Sequence, residues 1–323
     1  METIGTWRMW AGFAAFVVIA TAVDLLVLQR KGAAKVTLRE AAGWSLLWVA
    51  LALIFNALLW WYLDGTHGRA LANDKAMEFF TGYLIEKSLA VDNIFVFLML
   101  FTYFAVLAEL QRRVLILGVI GAIVLRAVMI LIGAWLISQF HWILYLFGAF
   151  LVITGIKMAR HAGESFDLDA NPALKWMRGH LNITDTFHGE RFIVNTNGLK
   201  AYTPLFVVMA LIGVTDVVFA VDSIPAIFAI TDDPFIVLTS NVFAVLGLRA
   251  MYFLLADFAG RFHLLTHGLA VILVFIGVKI LIVEWVKIPV FVSLGVVAAI
   301  LVATVIASLA LKPKAEEATS EAR

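Results

Sequence analysis

Apolar residues along the chain fall into nine long blocks that polar segments separate. Each block is long enough to cross the roughly 30 Å hydrocarbon layer as a helix that rises about 1.5 Å per residue. We therefore predict an all-α, polytopic membrane protein with about nine transmembrane helices. The predicted spans cover residues 10–28, 43–63, 78–104, 114–137, 141–159, 202–230, 235–256, 263–284 and 288–311.

The composition agrees with a chain that lies in a lipid bilayer. Of the 323 residues, 63% are hydrophobic and 15% are charged, whereas about 25% are charged in an ordinary soluble domain. The net charge of +1 offers no strongly basic surface, so we expect no nucleic-acid partner. The chain has no cysteine, which excludes disulfides and thiolate metal sites. We expect no bound cofactor.

Lysine and arginine residues are distributed unevenly between the two sides of the predicted bundle. With the N-terminus outside, the inside segments carry 15 of these residues and the outside segments carry 4. The positive-inside rule then predicts an outside N-terminus and a cytoplasmic C-terminus. The rival interpretation, a cleaved signal peptide at the N-terminus, has only a weak positive segment before its apolar block.

Two parts of the chain match each other in sequence. Each part contains three predicted spans, so the second copy must enter the membrane from the opposite side, which predicts an inverted-topology repeat. The matched segments are Glu86–Ile94 with Asp216–Ile224, Leu125-Arg126-Ala127 with Leu248-Arg249-Ala250, and Gly155-Ile156-Lys157 with Gly277-Val278-Lys279.

The repeat predicts how the chain is organised. Two N-terminal helices occupy residues 1–77, and the first three-helix repeat occupies 78–159. A cytoplasmic loop, 160–201, precedes the second repeat at 202–285. The last helix and a charged cytoplasmic tail form 286–323. Within the loop, Asn171-Pro172 predicts a short helix that continues through His180, and Asn197-Gly198 predicts a β-hairpin.

Four carboxylates lie inside the predicted spans, two in each repeat. A charge at the bilayer centre costs at least about 2.5–3.5 kcal/mol, so these groups need partners or a polar cavity. Carboxylate, amide and carbonyl oxygens are the ligands that magnesium, calcium and manganese prefer. We predict one metal site near the membrane midplane, shared by both repeats. Its candidate ligands are Glu86, Asp92, Asn93, Asp216, Asp222 and Ser223.

Pro225 predicts a helix break beside the second pair of acids. Proline has no N–H, so the carbonyl of Val221 loses its helical partner next to Asp222. A break would allow two acids six residues apart to reach one site, and the free carbonyl would add a ligand. The alternative is that basic residues neutralise the acids and hold the helices together. The candidate charge partners are Lys87, Arg126, Arg249 and Lys279.

These motifs resemble the TerC/Alx family of bacterial integral membrane proteins. The resemblance rests on the segments 82–93, 188–192, 219–229 and 246–255 and covers nearly the whole chain. It implies export of manganese from the cytoplasm across the inner membrane, and the family name records a link to tellurite resistance. One departure is Gly213, where relatives often carry a glutamate, and this puts the ligand set in doubt.

Three functions remain open at this point. The first is a transporter of a hard divalent cation, with manganese(II) as the favoured ion. The second is a non-transporting membrane partner in metal loading or in the response to tellurite or alkaline stress. The third, an intramembrane aspartyl protease, would use a carboxylate dyad. The chain lacks a Gly-x-Gly-Asp segment, so we expect no enzyme. The sequence also leaves a homo-oligomer open.

Overall fold

The computed structural model describes residues 3–29, 37–140, 142–161, 171–196, 199–256 and 264–311. Helices dominate this part of the chain, and the strands form one small antiparallel hairpin. The helices are α1 (Trp7–Gln29), α2 (Leu38–His67), α3 (Arg69–Tyr103), α4 (Ala108–Gln139), α5 (Ile143–His161), α6 (Pro172–His180), α7 (Pro204–Phe228), α8 (Pro234–Val245), α9 (Leu248–Ala256), α10 (Leu265–Leu281) and α11 (Val290–Ala310). The strands are β1 (Ile193–Thr196) and β2 (Leu199–Tyr202).

The prediction of an all-α membrane fold is confirmed. Among the described residues, six helical segments are long and apolar enough to cross a membrane, namely α2, α4, α5, α7, α8 together with α9, and α11. Helices α1 and α10 supply shorter apolar segments. Helix α3 has 35 residues, but seven of them are charged. Among the helices of more than 20 residues, the least apolar is thus the one that carries the first pair of predicted site acids.

Close packing between α5 and α10 reveals the relation between the two repeats. A Cβ added at Gly148 would lie 3.0 Å from the carbonyl oxygen of Gly277, and one added at Gly155 would lie 2.8 Å from that of Ala270. Moving forward along α5 therefore means moving backward along α10, so the two helices are antiparallel. The sequence match equates Gly155 with Gly277 and therefore Gly148 with Ala270. The contact of Gly148 with Gly277 is thus equivalent to the contact of Ala270 with Gly155.

The remaining helices of the repeats are also inverted relative to their equivalents. Helix α3 runs parallel to α8, because Gly82 approaches Ser240 and Lys87, further along, binds the carbonyl of Ala244. Helix α4 runs antiparallel to α3 after a short turn, and α8 is its equivalent. Equivalent helices therefore point in opposite directions, which confirms the inverted repeat.

Helices α4 and α7 complete this arrangement. Gly118 lies against Ile212 near the start of both helices, and Gly133 lies against Phe228 near the end of both. The two helices are therefore parallel, and α7 is antiparallel to its equivalent, α3. A pseudo-two-fold axis perpendicular to the helices relates the two repeats, as in many secondary transporters.

Gly277→Ala is expected to destabilise the protein by about 1–3 kcal/mol, because the added methyl group would meet backbone atoms of α5 that cannot move aside. Its Cβ would lie 2.7 Å from the carbonyl oxygen of Gly148. The matched control is Gly121→Ala in α4, where no heavy atom lies within 4 Å, so helix propensity should make it neutral or slightly stabilising. Thermal unfolding in detergent measures both, and equal stability of the two variants would contradict the packing.

The segment between the repeats folds as predicted in its helix and strands. Asn171 caps α6 by accepting from the backbone N–H groups of Ala173 and Leu174. Strands β1 and β2 pair in antiparallel register, while the turn predicted at Asn197-Gly198 lies outside the described residues. Leu174 and Met177 are buried in the same cluster as residues at the end of α3. This segment therefore covers one end of the helix bundle.

The helix break predicted at Pro225 is wrong. Helix α7 continues through Pro225 to Phe228, so the proline removes one hydrogen bond, to the carbonyl of Val221, without ending the helix there. The second repeat is instead interrupted between α8 and α9. There Gly247 adopts a positive φ of 85°, and a Cβ at this position would lie 2.6 Å from the Trp48 ring.

Candidate functional site

Glu86 and Asp216 occupy the middle of equivalent helices. Glu86 is the eighteenth of the 35 residues of α3, and Asp216 is the thirteenth of the 25 residues of α7. Because these helices are antiparallel, the two acids lie at similar depth in the bundle. Both side chains are buried. Helix α3 starts nine residues before the predicted span, at Arg69, because polar residues extend it beyond the apolar block.

Arg126 connects the two repeats at this depth. It is 1% exposed and forms an ion pair with Glu86. Its Nη1 also donates to Oδ1 of Asn241 at 2.9 Å and to Oγ of Ser223 at 3.4 Å. The same guanidinium interacts electrostatically with Asp216. Arg126 is therefore the ion-pair partner of Glu86, and it contacts the second repeat through Asn241 and Ser223. Asp216 lies outside ion-pair distance of Arg126 but is influenced by its charge.

One oxygen of this ion pair, and an amide two helical turns further along α3, lack partners among the described residues. Oε2 of Glu86 has no hydrogen-bond donor there, and neither the oxygen nor the nitrogen of the Asn93 amide has a partner. Buried polar atoms are almost always satisfied by protein, water or an ion. These oxygens have the chemistry that a hard cation requires, so the residues present fit such an ion.

A polar face continues along α3 and α7 beyond the central acids. Asn93 follows Glu86 by seven residues and Ser223 follows Asp216 by seven, so each pair lies on one face of its helix. Both Asn93 and Ser223 are buried. Because the helices are antiparallel, the two faces extend from the centre in opposite directions. They form a polar column through the apolar bundle.

The second acid of the α7 pair, Asp222, lies off this face. Six residues correspond to about 240° around an unbroken helix. Asp222 is accordingly half-buried and lies beside the hydroxyl of Thr154 in α5. Asp92 belongs to α3, but its side chain lies outside the described part of the structure. Among the described side chains, no three acids or histidines converge as a metal site. The structure brings Glu86 and Ser223 into contact with Arg126, places Asp216 at similar depth on the equivalent helix, and leaves Asp222 beside α5.

Among the described residues, the partners of Lys87 are backbone carbonyls rather than one of the predicted acids. Its ammonium donates to the carbonyl oxygens of Ala244 at 3.1 Å and Leu246 at 3.4 Å. These carbonyls lie at the end of α8, where the helix is interrupted before α9. Adjacent positions on a helix face different directions, so the neighbour of Glu86 points away from Arg126.

Lys279 is buried but has a different partner from the one predicted. It interacts electrostatically with Glu78 of α3, a residue that the sequence analysis did not single out. Glu78 also accepts from Lys75 at 2.8 Å and from the Thr231 hydroxyl at 2.6 Å. This cluster lies near the start of α3, away from the central acids, and its signal in the sequence was only an acid at the predicted edge of a span.

Asn241 is the other residue that sequence reasoning missed. It is fully buried in α8 and accepts from Arg126. Its signal was an amide in the middle of an apolar span. The match of Arg126 with Arg249 places Gly118 at the equivalent position of the first repeat. The surroundings of the two arginines therefore differ. Arg249 is 7% exposed and borders a cavity of about 20 Å³ beside Gly247.

Comparisons with known proteins agree on one family. Residues 71–316 match the family described as "Integral membrane protein TerC family". The chain is 61% identical over 306 residues to "Putative membrane-bound redox modulator Alx" of Escherichia coli (strain K12), which covers 95% of each chain. It is 46% identical to "Uncharacterized membrane protein STKORF319" of Myxococcus xanthus over 312 residues, or 96% and 95% of the two chains. It is 39% identical to "Uncharacterized membrane protein" of Rickettsia felis over 303 residues, or 94% and 98%. No solved structure matches.

Proposed function

We propose, since the chain belongs to the TerC family of integral membrane proteins, that it transports a hard divalent cation across the membrane. We further propose that the ion is manganese(II) and that the direction is export from the cytoplasm. The observation that carries the proposal is the position of Glu86 and Asp216. They are buried at the centres of two antiparallel equivalent helices, and Arg126 forms an ion pair with Glu86 and influences Asp216 electrostatically. Buried charges at membrane depth are a typical mark of an ion pathway.

Arg126 stabilises this site when no metal ion is bound. A pair of buried carboxylates without a counter-ion would be costly, and the guanidinium reduces that cost. An arriving divalent cation carries twice the charge of Arg126, so it can take over the interaction with both acids while the guanidinium withdraws. Arg126 in turn competes with the ion and prevents binding too tight for release. Inverted repeats supply the two opposite-facing conformations that alternating access needs.

The donor atoms decide the class of ion. Carboxylate, amide and hydroxyl oxygens surround the centre, and the sequence has no cysteine. Such a set suits manganese, magnesium and calcium better than zinc or copper. Purified protein in liposomes should take up manganese faster than zinc at matched free concentrations, with protein-free liposomes as the control. Equal rates for zinc and manganese would contradict the proposed donor set.

A non-transporting role in a metal-loading or stress-response complex is the second candidate. The observation that favours it is the Glu86–Arg126 ion pair, because a paired carboxylate can also simply hold helices together. The relative named above as a redox modulator belongs with this candidate. Since this chain has no cysteine, such a role here would not use thiol–disulfide exchange of its own. Uptake of manganese into liposomes by the purified protein alone would contradict this candidate.

We propose that α6 and the hairpin face the cytoplasm of the bacterial cell, with the N-terminus outside. The basic residues favour this orientation. Because the chain has no native cysteine, Lys200→Cys in β2 and Thr66→Cys in the last turn of α2 introduce single thiols at exposed positions. An impermeant thiol reagent added to intact cells should label Thr66→Cys only. Labelling of Lys200→Cys from outside would overturn the orientation.

A further inference from the structure

The interruption between α8 and α9 exposes backbone carbonyl groups inside the bundle. Helix α8 ends at Val245, and α9 begins at Leu248. Gly247 allows the interruption, because it adopts a positive φ and packs closely against Trp48, which a residue with a side chain could not do. The equivalent position in α4 is Val124, within a continuous helix. The last carbonyls of a helix have no intrahelical donor and need another partner.

Lys87 supplies that partner. Its ammonium donates to the carbonyl oxygens of Ala244 and Leu246. No carboxylate among the described side chains lies within ion-pair distance of it. The positive charge is therefore held by neutral carbonyl dipoles, on a helix that runs through the middle of the bundle. In interrupted membrane helices, such carbonyls are the groups that coordinate small cations.

The surroundings favour a single positive charge at this point. The two carbonyls carry only partial negative charge, and Arg249 stands in the first turn of α9, directly after the interruption. The ammonium that the two carbonyls hold carries a single positive charge, so a monovalent cation is the occupant that matches it. The counterpart of Lys87 in the other repeat is Val217, so the arrangement occurs in one repeat only.

We propose that the interruption between α8 and α9 is a binding site for one small monovalent cation, and that the ammonium of Lys87 occupies it as a tethered ion. The site is separate from the central carboxylates and does not depend on which ion they bind. Its role is to satisfy the carbonyl groups at the end of α8, where the helix is interrupted. Removing the ammonium then leaves carbonyls that sodium or potassium can fill.

The test replaces Lys87 by methionine, which keeps the length of the side chain and removes the charge. In purified Lys87→Met protein, sodium or potassium chloride should raise the unfolding temperature by about 3 °C or more, relative to choline chloride at the same ionic strength. Choline is too large to enter. Wild-type protein and the matched control Lys200→Met, an exposed lysine in β2, should show no such difference.

A second variant keeps the proposal testable if Lys87→Met does not fold. Lys87→Gln retains one amide donor, so its unfolding temperature should also rise in sodium or potassium, by a smaller and saturable amount. Unfolding temperatures that are the same in all three salts for the folded variant would overturn the cation site. Because the readout is stability, this outcome is independent of whether the protein transports manganese.

Discussion

Replacing Arg126 by methionine is expected to lower the free energy of unfolding by about 3–5 kcal/mol, because it leaves a buried carboxylate without its counter-ion. Glu86 is fully buried, and Arg126 is its ion-pair partner. The same change removes the donor to Asn241, which leaves a buried amide oxygen without a partner. Methionine fills most of the volume of the arginine stem, so the loss of stability measures the effect of removing the charge and not the effect of a cavity.

Two further variants separate this effect from a general loss of packing. The double variant Arg126→Met/Glu86→Gln should recover much of the lost stability, because neither charge then remains buried. Arg113→Met removes an ion pair with Glu190 whose side chains are 41% and 63% exposed, so it should cost at most about 1 kcal/mol. Chemical unfolding in detergent measures all three. An Arg126→Met protein as stable as Arg113→Met would show that the central ion pair does not stabilise the fold.

Asp216→Asn is expected to reduce transport to the rate of protein-free liposomes while the protein still inserts in the membrane. The change preserves size and removes the charge that one repeat contributes to the centre. Asp222→Asn should also reduce transport, because this half-buried acid lies on the same helix nearer its end. Glu284→Gln is the matched control, since Glu284 is exposed and accepts from the Tyr145 hydroxyl at 2.7 Å. Full transport by Asp216→Asn would contradict the assignment.

The sequence was sufficient for features that depend on local pattern or on span count. The α6 helix follows from the cap at Asn171 and the proline after it, because these residues act on their own backbone. The inverted repeat follows from matched motifs and an odd number of spans, which leave no other arrangement. The pairing of Arg126 with an acid also follows, since a buried charge requires an opposite one.

Features that depend on side-chain direction and tertiary contacts could not be predicted from the sequence. Pro225 has the chemistry of a helix breaker, but its effect depends on where the helix ends, which packing decides. The interruption at Gly247 depends on Trp48, a residue far away in sequence. Lys87 is a candidate charge partner of the acids by sequence, yet it directly follows Glu86, and that adjacency turns it to another face of the helix. Its carbonyl partners exist only because the interruption does.

Equilibrium binding of manganese to the purified protein tests the central claim most directly. The account has one ion site at the bundle centre that uses an acid from each repeat. Wild-type protein should bind one manganese ion per chain, and Glu86→Gln and Asp216→Asn should each abolish that binding. Glu284→Gln should leave it unchanged. Two manganese ions per chain, with each substitution removing only one of them, would contradict a shared site.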